Sequence, residues 1–516
     1  MKKIILAILV SFLMSTNSNS YAAWHNDARG LFQDGMANVY VLNLRTFSAS
    51  DSNENGIIEL ESGEKAGNFV TATKRLDSLV SMGINTIHLL PITPVGKIKS
   101  LGTAGSLYAM DDFASINPQL DEPNNDLSAY EEAKLFVEEA HKRGIRVIVD
   151  LPSCGSYDMF LRRGELFEQG VDGHGVVPAD WSDVRLFKVK EKDGSLNQGL
   201  VDAHKLFIDM VKKIGADGIR ADVATIKPYE FWQILISYAR QNDPQFLFLA
   251  EASPAWMEKI ENVDTFTPYD KLLSAGFDAY LADMGNYREF TSTDDLFKAY
   301  NKAKELSEIN RSKKSIILNF ATHDDISPVL INSNYPTQLI WLSATLPGNM
   351  YFVNGFLTGD VYSYPYAGKK AEVSYTDDET YYVHNGKLDI FNFSRRPGGR
   401  MLNLTREFFA ASALKYRALA IINEITPNIL KTTNKDIFAY EYDAQGSKLV
   451  VLLNHNPEME VSSKVKYKGI DSFEDLIPIK MPTGVISFQK GKFDLRFAPS
   501  DIAVFWAQPK RAGKNK

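Results

Sequence analysis

The chain has 516 residues, 44% of them hydrophobic and 23% charged, and a formal net charge of −7. Such a length supplies about two or three domains and a large core, and the acidic balance excludes the basic face with which nucleic-acid binders displace counterions. A lone cysteine, Cys154, excludes an internal disulfide, so stability rests on burial and on any bound ion.

In chain order, the first element reads as an export signal. Lys2 and Lys3 precede an apolar stretch over 4–14, and Ser20-Tyr21-Ala22-Ala23 forms a small-residue cleavage site. The stretch falls short of the about 20 residues that span a membrane. Removal of 1–23 and delivery of a soluble protein to the periplasm or medium are expected, with no membrane association afterwards and the oligomeric state left open. A strand follows at 38–44, and then "DSNENGIIE". Asp51, Asn53, Asn55, the Ile57 carbonyl and Glu59 stand there at alternate positions, with Gly56 allowing the turn. Hard oxygen donors at that spacing suit Ca²⁺, which is the expected structural cofactor.

Further strands are expected at 86–91, 145–150, 217–222, 246–251, 277–280, 315–320 and 349–354. "RVIVD", "FLFLAE" and "SIILNF" are continuous apolar runs, as parallel strands buried on both faces should be. Between the second and third strands, "SAYEEAKLFVEEAHKRG" sets Ala133, Phe136, Val137 and Ala140 on one helical stripe and stops at Gly144. This alternation predicts an α/β fold, a closed (β/α)₈ TIM barrel over 24–434. An insertion over 151–197 lacks clear periodicity. The motifs "KLVVLLNHN", "VSSKVKYKG", "GVISFQKGKFDLRF" and "DIAVFWAQ" predict a C-terminal antiparallel β-sandwich over 435–509, before a disordered tail at 510–516.

In such a barrel the chemistry gathers at the C-terminal ends of the strands. Asp150, Asp222 and Glu251 end three of the expected strands, and Asp324 closely follows a fourth. Anions repel, so packing them together needs a reason. Cleavage of a glycosidic bond supplies one: a carboxylate traps the oxocarbenium-like state while a protonated carboxyl donates to the leaving oxygen. Arg220, on the same strand face as Asp222, supplies the counter-charge that keeps Asp222 anionic. Glu251 has no cation beside it in sequence and sits among Leu249, Ala250 and Ala252, so its carboxyl is expected to be raised toward working pH. A retaining mechanism sets the two carboxyls about 5–5.5 Å apart.

These motifs resemble the α-amylase superfamily, glycoside hydrolase family 13. "GIRAD" is similar to its nucleophile strand, "FLFLAEA" to its acid/base strand and "FATHDD" to its third-carboxylate motif. "IHLLPITP" and "TLPGNMYFVNG" resemble its second and eighth strands, and "GSLYAMDDFASINP" the loop whose tyrosine stacks on the sugar. The resemblance runs in order from about 36 to 505 and implies Asp222 as nucleophile, Glu251 as acid/base and Asp324 as third carboxylate. It also implies Arg220, His323, Tyr108 and Asp150 as substrate-binding residues, and it relates 51–59 to a first-loop calcium motif of oligo-glucosidase-type members, with Glu59 replacing the usual aspartate. "DVATIKPYEFW" and "PVGKIKSLGTAGSLYA" look closest to the α-glucan maltosyltransferase branch, whose Lys-Pro pair matches Lys227 and Pro228, adding Lys227 to the binding set. An exported protein lacks ready access to a sugar-phosphate donor, so that likeness speaks to ancestry more than to substrate.

Four positions depart from the family pattern. Cys154 and Gly155 replace the Asn-His pair after the third strand, Thr322 replaces an asparagine, and Ile226 stands where a histidine is common. The first two remove a sugar donor and a ligand of a calcium site between barrel and insertion. Cys154 is no candidate nucleophile, since neighbouring acids raise a thiol. His88, on the second strand, reads as a core residue. The expectation is an exported retaining α-glycosidase acting on α-linked glucans or oligosaccharides. The alternatives are an α-glucan transglycosylase, which shares every catalytic group, and a non-catalytic glycan-binding barrel.

Overall fold

A computed structural model describes residues 27–50, 52, 60–100, 105–178, 181–254, 266–308, 316–325, 327–359, 402–444 and 447–507. Eight parallel strands close into a barrel: β1 (Asn38–Leu42), β2 (Thr86–Leu89), β3 (Arg146–Leu151), β4 (Gly218–Ala221), β5 (Leu247–Ala250), β6 (Ala279–Leu281), β7 (Ile316–Leu318) and β8 (Asn349–Val353). Each pairs with its neighbour in sequence, and β8 returns to β1. All eight strands expected from the sequence are present, most of them shorter than read.

The strands are buried on both faces. Val39, Val41, Ile148, Leu247, Leu249 and Ile317 fill the barrel, while Tyr40, Leu42, Val147, Ile219 and Phe248 pack toward the helices. Side chains alternate along a strand, so the residue two beyond an inward residue also points inward. Asp150 follows Ile148, Asp222 follows Arg220 and Glu251 follows Leu249. Gly218 lets β4 and β5 close up, because a Cβ there would lie 2.4 Å from the Leu247 carbonyl oxygen. The helix Ala129–Lys142 buries Ala133, Phe136, Val137 and Ala140, and a Ser128–Glu131 capping box opens it.

Within the insertion after β3, Cys154–Ser156 pairs antiparallel with Val184–Leu186 as a small ribbon. C-terminal to the barrel stands a five-stranded antiparallel sheet of Asn428–Ile429, Ile437–Ala444, Ser447–Asn454, Ile502–Ala507 and Leu476–Lys480, in that order. A second sheet orders Val461–Lys466, Lys492–Phe497 and Val485–Gln489. Val465, Phe493 and Leu495 share a core with Val450, Leu452 and Phe505. The first of these strands starts ahead of residue 435. The helix Tyr335–Thr345 is buried all round, joining the two parts: Gln338 Nε2 donates to the Asn454 carbonyl at 2.7 Å and accepts at Oε1 from Tyr287 Oη at 3.0 Å. No helix of the described residues is long and apolar enough to cross a membrane.

Candidate active site

Arg220 is the centre of the acid cluster. Its buried guanidinium donates through Nη1 to Asp150 Oδ1 at 2.8 Å and Oδ2 at 3.0 Å, and to Asp222 Oδ1 at 3.0 Å. Nη2 lies 2.5 Å from Glu251 Oε1. Strand register explains the convergence: Arg220 lies beside Asp150 on β3 and beside Leu249 on β5. Asp222 and Glu251 then leave their strands one step beyond the last paired residue, with Asp222 N–H on the Leu151 carbonyl and Glu251 N–H on the Ala221 carbonyl. One planar fork can hold several carboxylates in this way, where a lysine's point charge would not. Glu251, with no cation beside it in sequence, thus takes its partner from the neighbouring strand, where sequence adjacency cannot show it.

The carboxyls nevertheless differ. Burial drives Glu251 up, Arg220 opposes, and Asp222 and Asp324 reinforce the rise, leaving it well above the ordinary carboxylate range. Burial acts on Asp150 in the same sense, but Arg220, His88 and His323 overcome it and hold Asp150 at about 2. Asp324 is pushed up to about 7 by desolvation, against Arg220 and with Asp325, Asp222 and Asp150 adding to the rise. Its side chain is 47% exposed, so water at the cleft mouth screens that shift far more than it screens Glu251.

Beneath the acids lies a polar floor. Asp150 is fully buried, accepting from His88 Nε2 at 3.2 Å and Tyr108 Oη at 2.8 Å. Tyr108 has one hydroxyl proton, so its oxygen accepts from His323 Nε2 at 2.8 Å. Likewise His88 Nδ1 accepts from Tyr351 Oη at 3.2 Å. Burial lowers the affinity of both histidines for a second proton. The Tyr108 ring lies parallel to His323 at 5.9 Å. Tyr108, His323 and Asp150, expected at the substrate, thus form one bonded set in which Asp150 supports the others from below. His88 is a buried member of that floor as well as a core residue.

Both acids use their second oxygen. Asp222 Oδ2 accepts from the Ser153 N–H at 2.9 Å and from Ser153 Oγ at 2.6 Å. Lys227, expected to touch substrate, is instead buried, and its ammonium donates to the Ser153 carbonyl at 2.8 Å. Desolvation lowers it to about 8. Its route to the site therefore runs through Ser153, a residue the sequence reading did not single out. Glu251 Oε2 accepts from the Val223 N–H at 2.7 Å. Val223 adopts φ 35° and ψ 56°, a left-handed conformation that a β-branched residue takes only under constraint.

The departures from the family pattern have structural counterparts. At Gly155 a Cβ would stand 2.7 Å from the Phe167 ring and 2.9 Å from Phe187, so aromatic side chains crowd the position where the family carries histidine. Cys154 is buried, and desolvation pushes its thiol up to about 12, away from nucleophilic use. Thr322 holds Asp325 through N–H and Oγ1 at 2.7 and 3.0 Å, fixing the turn that carries Asp324. Ile226 is buried. The calcium set Asp51, Asn53, Asn55, Ile57 and Glu59 lies outside the described residues.

No protein-family profile matches the chain. Curated relatives include an alpha-1,4-glucan:maltose-1-phosphate maltosyltransferase of Arcanobacterium haemolyticum, 28% identical over 228 residues, covering 40% of this chain and 32% of that protein. An alpha-amylase of Haloarcula japonica is 28% identical over 194 residues, 36% of this chain and 27% of its own length. The similarity thus spans about a third of the length of these relatives. Among solved structures, an alpha-amylase from Lactobacillus plantarum superposes with a TM-score of 0.62 at 18% identity, covering 92% of this chain and 99% of that one. A cyclomaltodextrinase gives 0.63 at 14% identity, covering 93% and 79%. These structures share the fold.

Proposed function

We propose that the chain is a member of the α-amylase superfamily and, from that premise, a retaining α-glycosidase hydrolysing α-linked glucans or oligosaccharides. The observation that carries this reading is Arg220 holding Asp222 and Glu251 together while burial and neighbouring anions keep Glu251 well above the carboxylate range. A proton donor and an anion on one guanidinium are what double displacement requires. In the first step an Asp222 oxygen forms a bond to the anomeric carbon. The glycosidic bond breaks, and its electron pair leaves on the departing oxygen, which takes the Glu251 proton. In the second step Glu251 removes a proton from water as the water oxygen bonds the same carbon, and the ester's electron pair returns to Asp222. Asp324 and His323 hold the sugar hydroxyls in this scheme, and the Tyr108 ring stacks on the sugar.

A second reading, transfer to a sugar acceptor instead of water, is favoured by the similarity to maltosyltransferases. It uses the same groups, and products formed with and without added acceptor separate the two. Export guided by residues 1–23 and a structural Ca²⁺ on 51–59 belong to the proposal on their sequence patterns alone. Asp222→Ala tests the core of it. Turnover of α-glucans is expected to fall on the order of 10⁴-fold with the thermal midpoint preserved, and activity near wild type would overturn the assignment.

A further inference from the structure

We propose that Ser153 is a positioning residue that holds Asp222 Oδ2 as the non-attacking oxygen and eases release of the glycosyl-enzyme ester. The inference rests on the glycosidase reading above. Its basis is the unequal treatment of the two Asp222 oxygens: Oδ1 accepts one bond, from Arg220 at 3.0 Å, whereas Oδ2 accepts two from Ser153, at 2.6 and 2.9 Å. Ser153 is itself fixed. It is 3% exposed, Lys227 pins its carbonyl at 2.8 Å, and Cys154 Sγ stands 3.8 Å from its Oγ. A carboxylate so gripped presents Oδ1 to an anomeric carbon and keeps Oδ2 as the carbonyl oxygen of the ester.

The two chemical steps feel this grip with opposite sign. Forming the ester removes charge from Asp222, so donors on Oδ2 give no advantage to attack. Breaking the ester returns an electron pair to Asp222, and the charge arriving on Oδ2 meets two donors already in place. Loss of the hydroxyl therefore slows the second step selectively.

The test compares wild type and Ser153→Ala on α-glucosyl and α-maltosyl fluoride. In these substrates the C–F bond breaks with its electron pair leaving on fluoride, so the first step needs no proton from Glu251. One hydrogen bond to a charged group is worth about 10- to 100-fold. Ser153→Ala is expected to lower kcat by that factor and KM by at least as much, so that kcat/KM does not fall. Rapid quenching should show a covalent adduct on Asp222 in the variant's steady state. A variant that loses kcat/KM without accumulating adduct, or matches wild type in both constants, overturns the role of Ser153 and leaves the glycosidase reading standing. If wild type releases no fluoride from either compound, both fall.

Discussion

Three carboxylates on one guanidinium cannot be altered independently. Arg220 opposes the rise of Glu251 while Asp222 and Asp324 promote it, so the proton on Glu251 reflects the whole cluster. With Glu251 as the proposed proton donor, activity is expected to persist above the ordinary carboxylate range and to fall as rising pH removes that proton, read from a pH–rate profile. Glu251→Gln cannot lose a proton there. Its kcat/KM toward glucans is expected to fall about 10²- to 10⁴-fold, while kcat/KM toward a glycosyl fluoride survives and loses its alkaline limb. Retention of full activity on glucans would contradict the assignment. At this scale the sequence was legible wherever strand parity speaks: Asp150, Asp222 and Glu251 follow inward residues by two positions. Ser153 was not, since a serine after a proline carries no periodic signal. Nor was the bond from Arg220 to Glu251, which depends on register between strands.

Among the elements, the ribbon of Cys154–Ser156 and Val184–Leu186 sets Gly155 where a side chain has no space. Gly155 faces Phe167 and Phe187 at distances that leave no room for a side chain, and their rings lie 4.9 Å apart. Gly155→His is expected to destabilise by about 1–3 kcal/mol through overpacking, read as a lower thermal midpoint, with no gain in turnover. An active, equally stable Gly155→His would mean the ribbon yields more easily than its packing implies. This ribbon was not legible in advance, because three-residue strands lie below the reach of any hydrophobic period. The barrel strands, longer and apolar on both faces, were legible for the opposite reason.

Across the whole molecule, the barrel and the C-terminal sheets are sealed by the helix Tyr335–Thr345, whose Gln338 satisfies carbonyls of the sheet. The sandwich was read from clean alternation such as Val461–Lys466, whereas Ile437–Ala444, buried along most of its length, shows no such alternation. Stability of the entire chain is also where the proposed calcium ion would register. Chelation is expected to lower the thermal midpoint of wild type and leave Asp51→Ala unmoved, and an indifferent wild type would remove calcium from the account. Val223 has a consequence of its own. Its left-handed backbone stores about 1–3 kcal/mol, and that same backbone aims an amide at Glu251. Glycine adopts the same angles without that cost, so Val223→Gly is expected to relieve the strain while keeping its amide on Glu251. The strain at this peptide unit is thus separable from the contact it makes.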